Sequence, residues 1–143
     1  MSEQTAEILA GFVEACNAHD VRALIDLYAD EFSFEDVALD LRVNDAGEYY
    51  TLLNAWFAAI PDLRMDVRST IACSDGAAIT WVLSGTIGTL LPGMPEGFVV
   101  GGVFDVRGAS VLHFGPSRTI VRHEDYHLLH LQALGTGVPG DGA

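Results

Sequence analysis

Residues 118–135 read RTIVRHEDYHLLHLQALG, and the first half of this stretch has the composition of a β-strand. It opens on consecutive β-branched residues, which favour strands, as aromatic residues do. Side chains alternate between the two faces of a strand. His123, Asp125 and His127 therefore share one face, and Tyr126 lies on the other.

This polar strand face has two alternative surroundings. If it lines a cavity, it supplies a proton-transfer group and a partner that orients that group. If it faces water, it is an ordinary polar face, because titratable groups also cluster in purely structural networks. Asp125 and His127 are the candidate proton-transfer residues, and His123 is the candidate assisting residue.

The chain before this strand divides into a helical half and a strand half. Apolar residues at a period of 3.6 predict the helices, and alternating residues bounded by Gly, Pro and Asp predict the strands. This order favours an α+β fold, with the helices packed on one face of a curved antiparallel sheet. The predicted helices are 5–18, 20–28 and 45–60, and the predicted strands are 31–37, 63–71, 77–88, 98–107, 110–114 and the final one.

The composition sets limits on class and partners. The length of 143 residues suits one domain, residues 1–143, with 136–143 as a flexible tail. The net charge of −13 disfavours nucleic acid and anionic membranes, which both need a basic surface. Neither a secretory signal nor an apolar run of membrane length is visible, and Cys16 and Cys73 lack the spacing of a zinc site. We therefore expect a cytoplasmic protein with reduced thiols.

Two further carboxylates are candidates. Asp36 is in step with Phe34 on the predicted first strand, and burial would raise its pKa and suit it to acid–base chemistry. The alternative is that Asp36 sits at the strand end, in solvent. Asp105 faces away from Phe104 and Val106, and the sequence does not decide which of these faces is concave.

Short segments along nearly the whole chain match one family when they are taken in order. They are Ala18-His-Asp20, Tyr28 to Glu31, Phe34-Glu-Asp36, Ile60 to Leu63, Trp81 with Gly85-Thr86, and Ile120 to His123 followed by Tyr126, Gln132 and Gly135. Together they resemble the SnoaL-like polyketide cyclases of the nuclear transport factor 2-like superfamily.

The resemblance implies a cone-shaped curved antiparallel sheet, three N-terminal helices that enclose a deep apolar pocket, and a homodimer. It also implies an acid/base Asp on the last strand. That position falls here on His127 or Leu128, and Asp125 is the nearest carboxylate. The family often has a His after Gly-Thr, where this chain has Ile87.

The expected function is therefore a cofactor-independent cyclase that closes a ring in a polyketide-like small molecule by an aldol-type step. No metal is implied. The alternatives are an epoxide-opening or oxygen-heterocycle-forming enzyme that uses Asp36 with Asp105, and a non-enzymatic small-molecule-binding or assembly domain. The expected substrate-binding residues are Tyr28, Phe34, Trp56, Phe57, Trp81 and Phe104.

Overall fold

A computed structural model of the chain describes residues 3–127. The second half of the 118–135 stretch and the predicted tail at 136–143 lie outside the described residues. The helices are α1 (Glu3–Ala18), α2 (Val21–Ile25) and α3 (Ala46–Ala59), and the strands are β1 (Tyr28–Asp36), β2 (Leu41–Val43), β3 (Arg64–Cys73), β4 (Gly76–Thr86), β5 (Val103–Phe114) and β6 (Ile120–His127).

Side-chain caps start two of these helices. The Asp20 carboxylate accepts a hydrogen bond from the backbone N–H of Ala23 at 3.0 Å, and Asp45 accepts one from Glu48 at 2.9 Å. Each cap satisfies one N–H group that has no partner within the helix, which stabilises a helix by about 1 kcal/mol. Both starts were predicted from the sequence, and both are confirmed.

The predicted end of the second helix, at residue 28, is wrong. The helix ends at Ile25, and Tyr28 begins β1. The cause is tertiary, because Tyr28 is in register with Ile120 of β6 and the Leu27 carbonyl accepts a hydrogen bond from the Ile120 N–H at 2.8 Å. Pairing with a strand from the other end of the chain outweighs the weak helical preference of a short segment.

The six strands form one curved sheet that does not close, in the order β2-β1-β6-β5-β4-β3. Strands β3 to β6 follow one another as antiparallel neighbours, and β2 is antiparallel to β1. Strand β1 runs parallel to β6, so the expected antiparallel sheet contains one parallel pair. A tight hairpin forces neighbouring strands to run in opposite directions, whereas the long connection from β1 to β6 leaves the parallel arrangement open.

The strand predicted from residue 98 starts later, at Val103. Residues 87–102, which we call the β4–β5 loop, precede it, and Gly97 and Gly101 adopt φ angles of 94° and 86° there. Such angles are left-handed and end an extended strand. Phe98 consequently lies in the loop, and its ring centroid is 5.8 Å from that of Phe104.

The main core lies between the helices and one face of the sheet. Phe12 of α1 and Tyr49 of α3 pack there with Trp81 and Leu112 of the sheet, all of them buried. The α+β prediction, with helices on one face of a curved sheet, is thereby confirmed. No helix in residues 3–127 has the length and apolarity that crossing a membrane requires.

Candidate functional site

A cavity of about 180 Å³ lies between the helices and the concave face of the sheet. Side chains from all three helices and all six strands form its wall, which is predominantly apolar. Pro95 and Phe98 bring the β4–β5 loop to the same cavity. A cavity of about 150 Å³ holds a benzene ring, so this one accommodates roughly one substituted ring.

Strand β6 supplies polar groups to this wall. His123, Asp125 and His127 alternate along the strand, and all three line the cavity. Their side chains are 3%, 20% and 10% exposed. Tyr126 points to the other face, where it is exposed. Strand alternation thus places both imidazoles and the carboxylate between them against the cavity.

His123 is the centre of a buried hydrogen-bond chain. Its Nε2 lies 2.6 Å from Asp125 Oδ1, and its Nδ1 lies 2.6 Å from the Tyr28 hydroxyl. The Tyr28 hydroxyl is in turn 3.0 Å from that of Tyr49. A carboxylate only accepts, so the hydrogen belongs on Nε2, Tyr28 donates to Nδ1 and Tyr49 donates to Tyr28. Both ring nitrogens of His123 are therefore occupied, and its role is to orient Asp125.

Burial keeps the two phenols of this chain protonated. Loss of solvation raises the pKa of Tyr28 well above its ordinary value of 10.0, and the neighbouring Tyr49 adds to that shift. The pKa of Tyr49 is raised by the same loss of solvation. A neutral phenol can donate a hydrogen bond, as the chain from Tyr49 to Asp125 requires.

Asp125 receives a second donor from the sheet. Ser110 Oγ donates to Asp125 Oδ1 at 2.6 Å, and Trp81 Nε1 donates to Ser110 Oγ at 2.9 Å. The bonds from His123 and Ser110 both end on Oδ1. Among residues 3–127 no hydrogen bond reaches Oδ2, so this oxygen of a cavity-lining residue keeps its capacity as an acceptor.

His127 forms a second pair, with Asp36 of β1. Its Nε2 lies 2.9 and 3.0 Å from the two carboxylate oxygens of Asp36, and the backbone N–H of Leu39 also donates to Asp36. The parallel register of β1 and β6 aligns Asp36 with Asp125 and so brings its carboxylate to this end of β6. Nδ1 of His127 is buried and has no hydrogen-bond partner in residues 3–127.

The remaining candidates divide between wall, interior and surface. Phe34, Trp56, Phe57, Trp81 and Phe104 line the cavity. Tyr28 does not line it, because its hydroxyl lies behind His123 in the hydrogen-bond chain. Asp105 is exposed and lies outside the cavity, since strand alternation turns Phe104 and Val106 inward and Asp105 outward. The structure does not bring Asp36 and Asp105 together as a carboxylate pair.

Sequence reasoning missed two polar residues of the site, Ser110 and Tyr49. Tyr49 belongs to the apolar stripe of the third helix, and this pattern predicts burial of its ring but not the hydrogen bond of its hydroxyl. Ser110 is fully buried, and it pairs with Asp125 across β5 and β6. A small polar residue in step with the apolar Leu112 was the available signal, but its partner depends on strand register.

Cys16 also lines the cavity, and burial raises the pKa of its thiol from 9.0 to about 11, with a smaller contribution from the charge of Asp125. A thiol with a raised pKa is a poor nucleophile at neutral pH. In the part of the chain that the structure describes, no group of three or more His, Cys, Asp or Glu side chains is arranged to hold a metal ion.

Comparison with solved structures shows the same fold in several proteins. AclR from Streptomyces galilaeus, described as a candidate hydroxylase, is 22% identical, with 100% of this chain and 86% of that chain covered and a TM-score of 0.77. A candidate polyketide cyclase from Xanthomonas campestris pv. campestris is 17% identical over 91% and 93% of the two chains, with a TM-score of 0.75. IdmH from Streptomyces antibioticus, also described as a candidate polyketide cyclase, is 18% identical over 93% and 96%, with a TM-score of 0.71.

These identities are low, so the likeness to the solved structures shows the fold alone. No curated protein matches the chain. The sequence model of the SnoaL-like domain matches residues 9–123, which include most of α1, all of α2 and α3, most of the sheet and the cavity wall up to His123. The chain therefore belongs to the SnoaL-like domain family.

Proposed function

We propose that this chain closes a ring in a polyketide-like small molecule by acid–base catalysis in the cavity. One observation carries the proposal: β6, with Asp36 of β1, brings two Asp–His pairs to the wall of an apolar cavity, and His127 keeps a buried nitrogen without a protein partner in residues 3–127. The names of the Xanthomonas and Streptomyces antibioticus structures support the same reaction class.

His127 is the proposed acid/base. Asp36 holds the hydrogen on Nε2, so Nδ1 of the neutral ring has a free lone pair. In the proposed step, the His127 ring shifts as the substrate enters, so that Nδ1, which is buried in the structure, reaches the cavity and takes a proton from a carbon that lies between two carbonyl groups. The resulting imidazolium is stabilised by the Asp36 carboxylate, as in other catalytic pairs of this kind. A single group of this type contributes roughly 10²–10⁴-fold to the rate.

The step balances without a further reactant. The enolate carbon attacks a second carbonyl carbon, a carbon–carbon bond forms, and the electron pair of that carbonyl moves to its oxygen. His127 then returns its proton to this oxygen, which gives a hydroxyl group and the neutral ring. Asp125, fixed by His123 and Ser110, accepts a hydrogen bond from the substrate and holds it in the ring-forming conformation.

The test is the cyclisation of a synthetic linear β-polyketone, followed by mass spectrometry and by the absorbance of the ring product. We expect His127→Gln to lower the rate about 10²–10⁴-fold and Asp36→Asn to lower it less. His113→Gln, an exposed imidazole on β5, is the matched control and leaves the rate unchanged. A rate that His127→Gln does not change would refute this mechanism, and binding without any acceleration would favour the non-enzymatic alternative.

A homodimer is part of the proposal. Ile71, Val103 and Tyr126 are exposed on the sheet strands, and Ile71 is 77% exposed. Large apolar side chains in contact with water favour burial in an interface. Light scattering on the purified chain measures the oligomeric state, and Ile71→Lys is expected to shift a dimer toward the monomer.

A further inference from the structure

Two carboxylates belong to the wall of the cavity, and they meet no positively charged Lys or Arg side chain there among residues 3–127. They are the carboxylates of Asp36 and Asp125. We infer that this cavity binds an organic ammonium ion, which is a protonated or quaternary amine with apolar substituents. The inference rests on the proposed function only in placing the ligand in this cavity.

Asp36 keeps its negative charge because its partners are neutral donors. Both of its oxygens lie within 3.0 Å of Nε2 of His127, and the backbone N–H of Leu39 donates to Oδ1. A second hydrogen on the imidazole would sit on Nδ1, which is buried and has no hydrogen-bond partner in residues 3–127. Because a charged ring with an unpaired buried N–H is costly, the ring is neutral and does not offset the carboxylate.

Asp125 is held by neutral donors as well. The Ser110 hydroxyl and Nε2 of His123 both donate to Oδ1, and Nδ1 of His123 accepts a hydrogen bond from the Tyr28 hydroxyl. The Asp125 side chain is 20% exposed, so little water screens its charge. A positive group that enters the cavity is therefore attracted more strongly than it would be at an exposed carboxylate.

The field of this charge reaches the helical side of the cavity. Cys16 of α1 and Tyr49 of α3 line that side. Burial raises the pKa of both side chains, to about 11 for Cys16, and the negative charge of Asp125 adds to the increase in each case. A potential that opposes a negative charge on the thiol and the phenol favours a positive charge in the space between them and β6.

Aromatic side chains form much of the remaining wall, among them Phe34, Trp56, Phe57, Trp81 and Phe98. Aromatic rings attract cations through their negative faces, and they also remove apolar substituents from water. A neutral apolar ligand gains only from burial, and an anion is repelled by both carboxylates. An ammonium ion with apolar substituents gains from the rings and from the carboxylates, so the wall selects for positive charge.

The same charge pattern bears on the proposed ring closure. Negative charge develops on the enolate oxygen in that step, and nearby carboxylates destabilise it. Within residues 3–127, no Lys or Arg lines the cavity to offset this effect. An ammonium group carried by the substrate would offset it, because it would bring a positive charge close to the developing enolate.

The test compares choline with its neutral isostere 3,3-dimethylbutan-1-ol, in which a carbon atom replaces the charged nitrogen. NMR titration of the indole N–H resonances of Trp56 and Trp81, which both line the cavity, gives the dissociation constant of each compound. We expect the wild-type chain to bind choline at least about tenfold more tightly than the isostere. Asp36→Asn and Asp125→Asn keep the shape of the side chain and remove one charge, so each should lower this ratio at least about threefold.

Asp105→Asn is the matched control. It makes the same change in net charge at an exposed carboxylate of β5 outside the cavity, and the ratio should not change. The wild-type ratio needs no variant and therefore does not depend on whether the cavity variants fold.

A wild-type ratio near one would overturn the inference, and so would the absence of choline binding. An unchanged ratio in either cavity variant, or an equal fall in Asp105→Asn, would also overturn it. Binding with the expected ratios but without cyclisation of the linear polyketone would overturn the proposed function alone. Cyclisation with a ratio near one would overturn the inference alone.

Discussion

Replacing Tyr28 by Phe tests whether the hydrogen-bond chain behind Asp125 holds as the structure describes it. The Tyr28 hydroxyl lies 2.6 Å from His123 Nδ1 and 3.0 Å from the Tyr49 hydroxyl, and all three residues are buried. Its removal leaves one acceptor and one donor unpaired in the interior. Each unpaired buried group costs about 1–3 kcal/mol, so Tyr28→Phe should lower the free energy of unfolding by about 2–6 kcal/mol.

Tyr49→Phe is the graded comparison. Its hydroxyl is at the end of the chain, and its loss leaves the bond from Tyr28 to His123 intact. The expected cost is about 1 kcal/mol, the net contribution of one hydrogen bond. Tyr50→Phe is the control on the same helix, because the Tyr50 side chain is 46% exposed, and its effect should stay within about 0.5 kcal/mol.

Urea denaturation followed by circular dichroism measures these differences, provided that the free energy of unfolding falls with urea concentration at the same slope in all variants. The ¹⁵N spectrum of His123 gives an independent measurement, since the wild-type ring should carry its hydrogen on Nε2, next to Asp125. In Tyr28→Phe the hydrogen should stay on Nε2, and the Nδ1 resonance should shift because this nitrogen loses its donor. A Tyr28→Phe effect no larger than that of Tyr49→Phe would refute the reasoning. So would a wild-type His123 with the hydrogen on Nδ1.

Three further predictions concern the cavity wall and the sheet. The pKa of the Cys16 thiol is 9.0 in the unfolded chain and about 11 in the folded one. The unfolded state therefore loses this proton first, and the free energy of unfolding falls as the pH rises from 9 to 11. Cys16→Ala should reduce that fall, measured by urea denaturation at each pH, by up to about 2.7 kcal/mol. Gly108→Ala should lower the free energy of unfolding by about 1–3 kcal/mol, because the added Cβ would lie 2.5 Å from the Trp81 ring. Gly11→Ala should instead stabilise α1 by about 0.5–1 kcal/mol, because the nearest atom to the added Cβ is 3.9 Å away. Phe98→Ala should weaken the binding of toluene to the cavity about fivefold in calorimetry, because the Phe98 ring belongs to the cavity wall and packs against Phe104. Unchanged binding would contradict this position for Phe98.

The local features of the fold could be predicted from short stretches of sequence. Asp20 and Asp45 cap helices because a carboxylate three residues before a free N–H can reach it, and no other part of the chain is involved. The Ser74-Asp-Gly76 turn from β3 to β4 likewise depends only on residues that are adjacent in the chain. Predictions of this kind failed where a distant partner intervened, as at Tyr28, which joins β1 through its pairing with Ile120.

The candidate site also combines features that follow from local sequence with features that depend on distant residues. Alternation along β6 was sufficient to place His123, Asp125 and His127 on one face. It did not reveal that Asp36, 91 residues away, would be the partner of His127. It also left open which carboxylate would reach the cavity, a choice that the sheet makes by turning Asp105 outward.

The sequence by itself determined the three helices, every strand except β2, their order, the apolar composition of the interior and the polar face of β6, because these depend on interactions between residues close along the chain. Only the tertiary structure decided the parallel pairing of β1 with β6 and the enclosure of that polar face. It also decided which nitrogen of each imidazole is occupied. The physical reason is that register and hydrogen-bond partners arise from contacts between segments far apart in the chain, and a shift of one residue in register would turn every side chain of β6 to the opposite face.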